Sequence, residues 1–290
     1  MTRPTAWLLA LLLAVTLPPP LVAQTPSATP TIEVAPPGIT QEITLGDGTR
    51  AYGRVERVVD GRVTFRTLDG AILDVDAAQV ARVVRADGRV VDGSYWRTDP
   101  NPSRLFFGPT GRSIRRGEAY LGVYEVVIPF VQVGITDRIS IGGGTPLVFG
   151  GGGERPFWIT PKIQIADTGS TAAAIGVMHM AGIDNESIGV AYGVVTRGST
   201  DSAVTVGGGY AYARGDSQGG GPVLMIGGEH RVHRGVKLVT ENYAFEGGGI
   251  LSAGVRFMGE RLSADLGLAT PLGIDEMFVF PMVNFVWKFR

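Results

Sequence analysis

The feature that most constrains the fold is a run of alternating segments that fills the chain from residue 117 to residue 290. Apolar side chains occupy every second position of each segment, which is the period of an extended strand. Most segments have nine to twelve residues, whereas strands of soluble domains usually have about five or six. A tilted strand of about ten residues can cross a bilayer. About twelve strands are predicted: 118–127, 129–136, 139–148, 156–166, 170–181, 187–197, 202–213, 222–232, 236–245, 249–258, 261–269 and 277–289.

The segments 249–258 and 261–269 each have one face of larger apolar residues and one face of small or polar residues. The pair Gly259-Glu260 between them suits a two-residue hairpin turn. That turn predicts a register with Phe257 opposite Leu262, and both alternations then agree on the same apolar and polar sides.

Segments 156–166, 187–197 and 202–213 repeat the pattern, and segment 236–245 gives no clear phase. A soluble sandwich would carry its bulky apolar residues inside and its charges outside. Here the second face is mostly small or polar, so we expect the bulky face to point outward. The residues predicted to point outward in these three segments are Phe157, Ile159, Ile163, Ile165, Ile188, Val190, Tyr192, Val194, Val204, Val206, Tyr210 and Tyr212.

The last segment, "FPMVNFVWKFR", places Phe285, Trp287 and Phe289 on one face, with Val283 continuing the row. It resembles the terminal strand of Gram-negative outer-membrane β-barrel proteins, in which a final aromatic residue is preceded by apolar residues at every second place. The resemblance implies that the barrel-assembly machinery reads this strand. The sequence departs from the pattern in one respect, because Arg290 follows the aromatic residue.

In lipid, a sheet must close on itself so that every backbone polar group is paired. We therefore predict an all-β fold in which 117–290 is a transmembrane antiparallel up-and-down barrel of about 12 strands, in contact with outer-membrane lipid. Tight links mostly alternate with looser links along the series, and in such barrels short turns face the periplasm. The inward polar residues either line a pore or hold a hydrogen-bonded plug, and they are Lys162, Gln164, Arg256, Asp265, Asn284 and Lys288.

The first 116 residues divide by composition. Residues 1–24 have a positive start, a short apolar core and small residues, which predicts a secretory signal peptide. A Pro/Thr/Ser-rich linker follows at 25–40. Residues 41–85 contain Asp-Gly turn signals and short alternating runs, which predict a small SH3-like or Sm-like β-domain in the periplasm, or else a β-meander.

The connector 86–116 is polar and rich in turn residues, and its run Asp99-Pro100-Asn101-Pro102 cannot lie inside a helix or a central strand. The apolar trio Leu105-Phe106-Phe107 either inserts at a membrane interface or plugs against the following domain.

Few features indicate chemistry. The chain has no cysteine, and its formal net charge of −1 offers no basic field for nucleic acid. His230 and His233 are three apart and point to opposite faces of a strand, so no metal site is predicted. We predict no catalytic residue and no cofactor, although His179 keeps open an outer-membrane enzyme acting on lipid. The leading hypothesis is a narrow porin-like channel or a structural barrel, and a soluble exported all-β binding protein is the third alternative.

Overall fold

A computed structural model of the chain describes residues 32–147, 155–183, 186–215, 218–274 and 278–289. They form two compact units that divide between Ala86 and Asp87. The predicted signal peptide lies outside the described residues, as does the linker up to residue 31. No helix in the described ranges is long and apolar enough to span a membrane.

The first unit is a five-stranded antiparallel sheet of β1 Gln41–Leu45, β2 Arg50–Val59, β3 Arg62–Thr67, β4 Ile72–Asp76 and β5 Val80–Arg85. Their order in the sheet is β4-β3-β2-β1-β5. Ile43, Val55 and Phe65 are among the side chains that form its core. Asp60 and Gly61 both have positive φ in the turn between β2 and β3, as the Asp-Gly signal predicts. A 3-10 turn at Ala77–Gln79 joins β4 to β5. Its likeness to an SH3-like domain stays a prediction.

The second unit begins with a small hairpin and continues into one large antiparallel sheet. The hairpin consists of β6 and β7. The strands of this unit are β6 Gly88–Val91, β7 Ser94–Arg97, β8 Ala119–Tyr124, β9 Ile128–Gly134, β10 Ile139–Gly144, β11 Phe157–Ile159, β12 Lys162–Asp167, β13 Thr171–Ile183, β14 Glu186–Gly198, β15 Ser202–Arg214, β16 Gly219–His233, β17 Val236–Phe245, β18 Gly248–Met258, β19 Leu262–Leu272 and β20 Phe280–Phe289.

The large sheet closes into a barrel of twelve strands. Each strand from β8 onward pairs with the next, β11 and β12 act as two halves of one strand, and β20 pairs with β8. Closure follows the predicted pairing of the last strand with the first. It leaves no edge strand, so the backbone polar groups of the ring are paired within it.

The outer face of the barrel is apolar and the inner face is polar. On β19, Leu262, Leu266 and Leu268 are exposed on the outside, whereas Ser263 and Asp265 are buried inside. The predicted outward residues of 156–166 and 202–213 also point outward. This is the reverse of a soluble sandwich, as the alternation predicts.

On β14 the predicted direction is wrong. Val194 is buried, its neighbour Val195 is 47% exposed, and Thr196 is buried, so the even-numbered residues point inward. The set Ile188, Val190, Tyr192 and Val194 therefore faces the lumen. The bulky face of this strand packs inside the barrel, where Val194 belongs to an internal apolar cluster with Met225, so the rule that the bulky face points outward fails here. The hydrogen bond of Thr196 to Thr205 on the neighbouring strand is made on the inner face.

On β17, which gave no clear phase, the odd-numbered residues point inward. Lys237, Val239 and Glu241 are all buried, and Leu238 is 47% exposed on the outside. The apolar residues disagreed in phase because Val239 belongs to an internal apolar cluster.

The β18–β19 register differs by two residues from the prediction. Phe257 lies opposite Ala264, and Arg256 lies directly opposite Asp265. The turn is centred on Glu260-Arg261, because Gly259 N donates to Leu262 O at 2.7 Å. A shift of two keeps every side chain on its predicted face.

Strands β8 and β9 form a hairpin. The predicted strand 118–127 ends earlier, at Tyr124, because Glu125 and Val126 adopt positive φ and reverse the chain. Val127 N then donates to Tyr124 O at 3.2 Å. This turn lies at the opposite rim from the five tight turns near residues 137, 169, 200, 234 and 260.

Ring closure can be tested by a disulfide, because the chain has no native cysteine. Leu121 and Trp287 are directly opposite on the outer face of the β8–β20 pair, within the span of a disulfide. We expect the refolded double variant Leu121→Cys/Trp287→Cys to form an intramolecular disulfide, seen as a shift on non-reducing gels. The control Leu121→Cys/Val286→Cys places the thiols on opposite faces and should not cross-link. Equal cross-linking of both pairs would contradict the register.

Candidate functional site

The lumen is occupied by a segment of the chain itself, residues 99–114, which we call the plug. Its prolines prevent regular structure, and most of its residues are buried, whereas Phe107 is 41% exposed. Leu105 and Phe106 are each 1% exposed. They pack against inward residues of three strands, namely Val239, Ala269 and Met282. Of the two roles proposed for the apolar trio, the structure shows the plug.

The tip of the plug is bound by a carboxylate from β17. Glu241 Oε2 accepts hydrogen bonds from three successive backbone N–H groups, those of Phe106, Phe107 and Gly108, at 2.8, 3.0 and 3.0 Å. Tyr243 donates to the other oxygen at 2.7 Å. Charge-assisted bonds of this kind are stronger than neutral ones, so Glu241 fixes the tip in place.

Arg256 on β18 is fully buried and joins the plug to the wall. Its Nε and Nη2 donate to the two carboxylate oxygens of Asp265 at 2.7 and 2.9 Å. The guanidinium also donates to plug carbonyls, including that of Asn101 at 2.8 Å. The fork of an arginine suits this bidentate geometry.

Lys162 on β12 is 2% exposed, and its hydrogen-bond partners among the described residues are backbone carbonyls. Its ammonium donates to the backbone oxygens of Ser103, Thr110 and Arg112 at 3.1, 3.3 and 2.7 Å. Two positions further along, Gln164 donates to Gly111 O at 3.2 Å. Both residues therefore hold the returning half of the plug.

A second ion-pair group lies near the rim of the tight turns. Lys237 donates to Asp99 of the plug and, at 2.8 Å, to Glu229. Glu229 also pairs with Arg112. Burial alone would raise the pKa of the Asp99 carboxyl, but the charges of Lys237 and Arg256 outweigh burial and lower it below its usual range.

The six residues predicted as lumen lining thus lie in two kinds of place. Lys162, Gln164, Arg256 and Asp265 form the plug network, and Asn284 makes a long contact of 3.4 Å to Phe106 O. Lys288 is at the rim, where its ammonium lies 2.9 Å from Glu118 and both side chains are partly exposed. It does not meet the other five.

One glycine makes room for the plug. Gly227 on β16 faces the lumen, and a Cβ there would lie 2.3 Å from Leu105 Cδ1 and 2.6 Å from Thr240 O. Any side chain at this position would displace Leu105 or the wall. Part of the glycine excess of the sequence therefore serves the contact between plug and barrel.

A cavity of about 260 Å³ borders the plug on the side away from the ion-pair group of Lys237. Its lining includes Arg104 and Phe107 of the plug and Glu125 in the β8–β9 turn, so it lies toward the rim opposite the tight turns. The pKa of the Glu125 carboxyl is raised because burial outweighs the hydrogen bond from the Val283 N–H, which acts in the opposite direction.

The predicted outer-strand residues Phe285, Trp287 and Phe289 point outward, at 37%, 46% and 47% exposure. Their recognition by the assembly machinery stays a prediction.

The histidines form no metal cluster. Across the described ranges, no group of three His, Asp or Glu side chains is placed to hold a metal ion. His230 contacts Ser202 on the outside at 3.2 Å, while Glu229 points inward. His179 lies on the outer wall, with its Nδ1 2.9 Å from the Tyr212 hydroxyl. Its hydrogen-bond partner at this nitrogen is thus a tyrosine.

Sequence reasoning missed Lys237, Glu229 and Glu241, which hold the plug. Their signal was present, because charged residues recur at spacings of two or four within apolar strands, as in Glu229 and Arg231. In a strand with an apolar outer face, such charges must point inward.

Comparison with known proteins gives only distant likenesses. No family model matches the sequence, and no curated protein matches it. The solved structure "KdgM porin in complex with disordered oligogalacturonate" is matched with a TM-score of 0.47 and 7% identity, over 60% of this chain and 98% of that chain. A loop-deletion mutant of OmpT, an outer membrane protein of Vibrio cholerae, gives a TM-score of 0.38 and 12% identity, over 87% and 96%. At these values the likeness does not indicate what this chain does.

Arg256, in the plug network, and Lys288, at the rim, should contribute very differently to the free energy of unfolding. Arg256→Met leaves Asp265 and Asp99 buried with less compensation, so we expect a loss of about 3–5 kcal/mol in the free energy of unfolding. Lys288→Met removes a partly exposed pair and should cost less than about 1 kcal/mol. Denaturant unfolding of the refolded chain in detergent measures both. Similar losses for the two variants would contradict the plug network.

Proposed function

We propose that the second unit is an outer-membrane β-barrel whose channel is closed by its own plug. The observation that carries this proposal is the apolar outer wall. Leu121, Ile163, Val204, Leu224 and Leu266 represent five strands around the ring, and each is more than 40% exposed. Soluble monomers rarely expose apolar patches larger than a few hundred Å², and a closed antiparallel barrel is one of two folds that can span a bilayer.

The orientation follows from the links. The five tight turns lie at one rim, and the chain enters the barrel at that rim through Arg97 and Asp99. Short turns face the periplasm in outer-membrane barrels. The proposal therefore puts the N-terminal sheet in the periplasm and the cavity on the outward side.

The plug determines what such a barrel does at rest. Charged side chains on the inner faces of β12, β16, β17 and β18 bind it inside the lumen. Passage of solute then requires that the plug leave its place. Among the open hypotheses, this favours a gated porin-like channel or a structural barrel over a permanently open pore.

The membrane assignment is tested by charge on the outer wall. Leu266 lies mid-strand on β19, so Leu266→Arg should lower stability in vesicles by about 2–4 kcal/mol. Ile72→Arg alters an exposed residue of the N-terminal sheet and should change it by less than about 0.5 kcal/mol. A wild-type chain that stays monomeric in buffer without detergent would refute the assignment.

The closed channel is tested in planar bilayers. We expect the wild-type chain to insert with little or no steady current. Replacing residues 103–110 with an eight-residue Gly/Ser segment removes Arg104, Leu105 and Phe106 from the lumen and should produce stable conductance steps. Steady conductance by the wild type would refute a resident plug. An inserted replacement variant without current would refute the plug as the barrier.

A further inference from the structure

The cavity on the outward side of the plug has walls suited to an aromatic ring. Its volume is about 260 Å³, whereas a cavity of about 150 Å³ already holds benzene. The space is therefore large enough for one ring and a small polar group. Aromatic and thioether side chains dominate its walls: Phe107, Tyr124, Phe130, Trp158, Met178, Met180 and Tyr192.

The floor of the cavity carries two cations that have no carboxylate partner in the described part of the chain. They are Arg104 and Lys162, both buried. Elsewhere in the lumen, Arg112, Lys237 and Arg256 each pair with an acid. Buried charges are costly unless compensated, and these two are compensated only by carbonyls, hydroxyls, an amide and ring faces.

Arg104 retains a donor that a ligand can use. A guanidinium has five N–H groups, and four hydrogen bonds are present: two to Tyr120, one to Tyr124 and one to Gln132. One Nη1 hydrogen thus has no acceptor among the described residues. The Tyr192 hydroxyl, also in the lining, has no hydrogen-bond partner there either.

Among the described residues that line the cavity, Glu125 is the only acid, and it lies at the mouth. Glu125 Oε1 and Oε2 lie 3.3 and 3.4 Å from Val283 N, which holds the carboxylate against the β20 strand. The floor is therefore positive and the mouth negative, and an anionic group is favoured at the floor.

We propose that this cavity binds a single-ring aromatic monocarboxylate, with the carboxylate on Arg104 and the ring against Trp158 and Tyr192. The proposal rests on the function proposed above only for the side from which the ligand enters. A carboxylate supplies the missing countercharge and accepts the open Nη1 hydrogen, and planar arginine recognition of carboxylates is strong. The ring fills apolar space.

The test uses the full chain in detergent micelles and isothermal titration calorimetry with 3-phenylpropionate. The matched probe 3-phenylpropionamide has the same ring and no charge, and we expect it to bind at least ten-fold more weakly. Arg104→Met should weaken the carboxylate at least ten-fold and bring the two probes close together, whereas Arg104→Lys should keep a preference for the carboxylate.

Two further variants keep the test independent of the plug. Met178→Trp fills the cavity without touching the Arg104 contacts and should abolish binding of both probes. Glu125→Gln should raise the affinity for the carboxylate probe, because it removes a negative charge from the mouth.

Equal affinity for the two probes, wild-type affinity in both Arg104→Met and Met178→Trp, or no carboxylate binding at millimolar concentration would overturn the ligand site. None of these results bears on membrane insertion. Conversely, a chain that binds the carboxylate but does not enter vesicles would overturn only the proposed function.

Discussion

The structure depends on the compensation of buried charged side chains, on the inner face of the barrel, by the polar groups of the plug. Arg256, Lys162 and Glu241 are placed by their strands on the inner face, where water is largely excluded. Their partners come in large part from the backbone of an irregular segment, whose carbonyls and N–H groups have no strand to pair with. The charged side chains of the wall satisfy the unpaired backbone groups of the segment, and those groups compensate the buried charges of the wall. The irregular segment and the charged wall are therefore one structural unit.

The fold was predictable because two independent patterns agreed. On β18 and β19 the alternation of apolar residues and the position of the turn both indicate the same faces, and the structure confirms them. The register was wrong by two residues because faces depend only on parity, whereas register depends on the turn. The facing of β14 was predicted wrongly because its bulky apolar residues pack inside the barrel and its mostly small residues point outward, the opposite of β19. Thr196 points inward, where it bonds Gly111 of the plug, 85 residues away along the chain, and Thr205 on the neighbouring strand.

The candidate site was predictable only in part. The alternation of apolar outward and polar inward residues placed Lys162, Arg256 and Asp265 on the inside, but it does not predict their contacts. The partners lie more than fifty residues away along the chain in several cases, such as Lys162 and Thr110. No local pattern identifies carbonyl oxygens as ligands, because every residue has one. The apolar pair Leu105 and Phe106 within a polar stretch was the one local sign that this segment is buried.

The plug enters and leaves the barrel at the same rim. Asp99 contacts Lys237 at the start of β17, and the chain returns to that rim where Arg116 N donates to Asp137. The segment is thus a re-entrant loop and not a thread passed through the ring. It is topologically unlinked from the barrel. It can therefore be withdrawn or inserted after the ring has closed, and neither end of the chain has to pass through the ring. Assembly of the ring and seating of the loop are consequently separable steps.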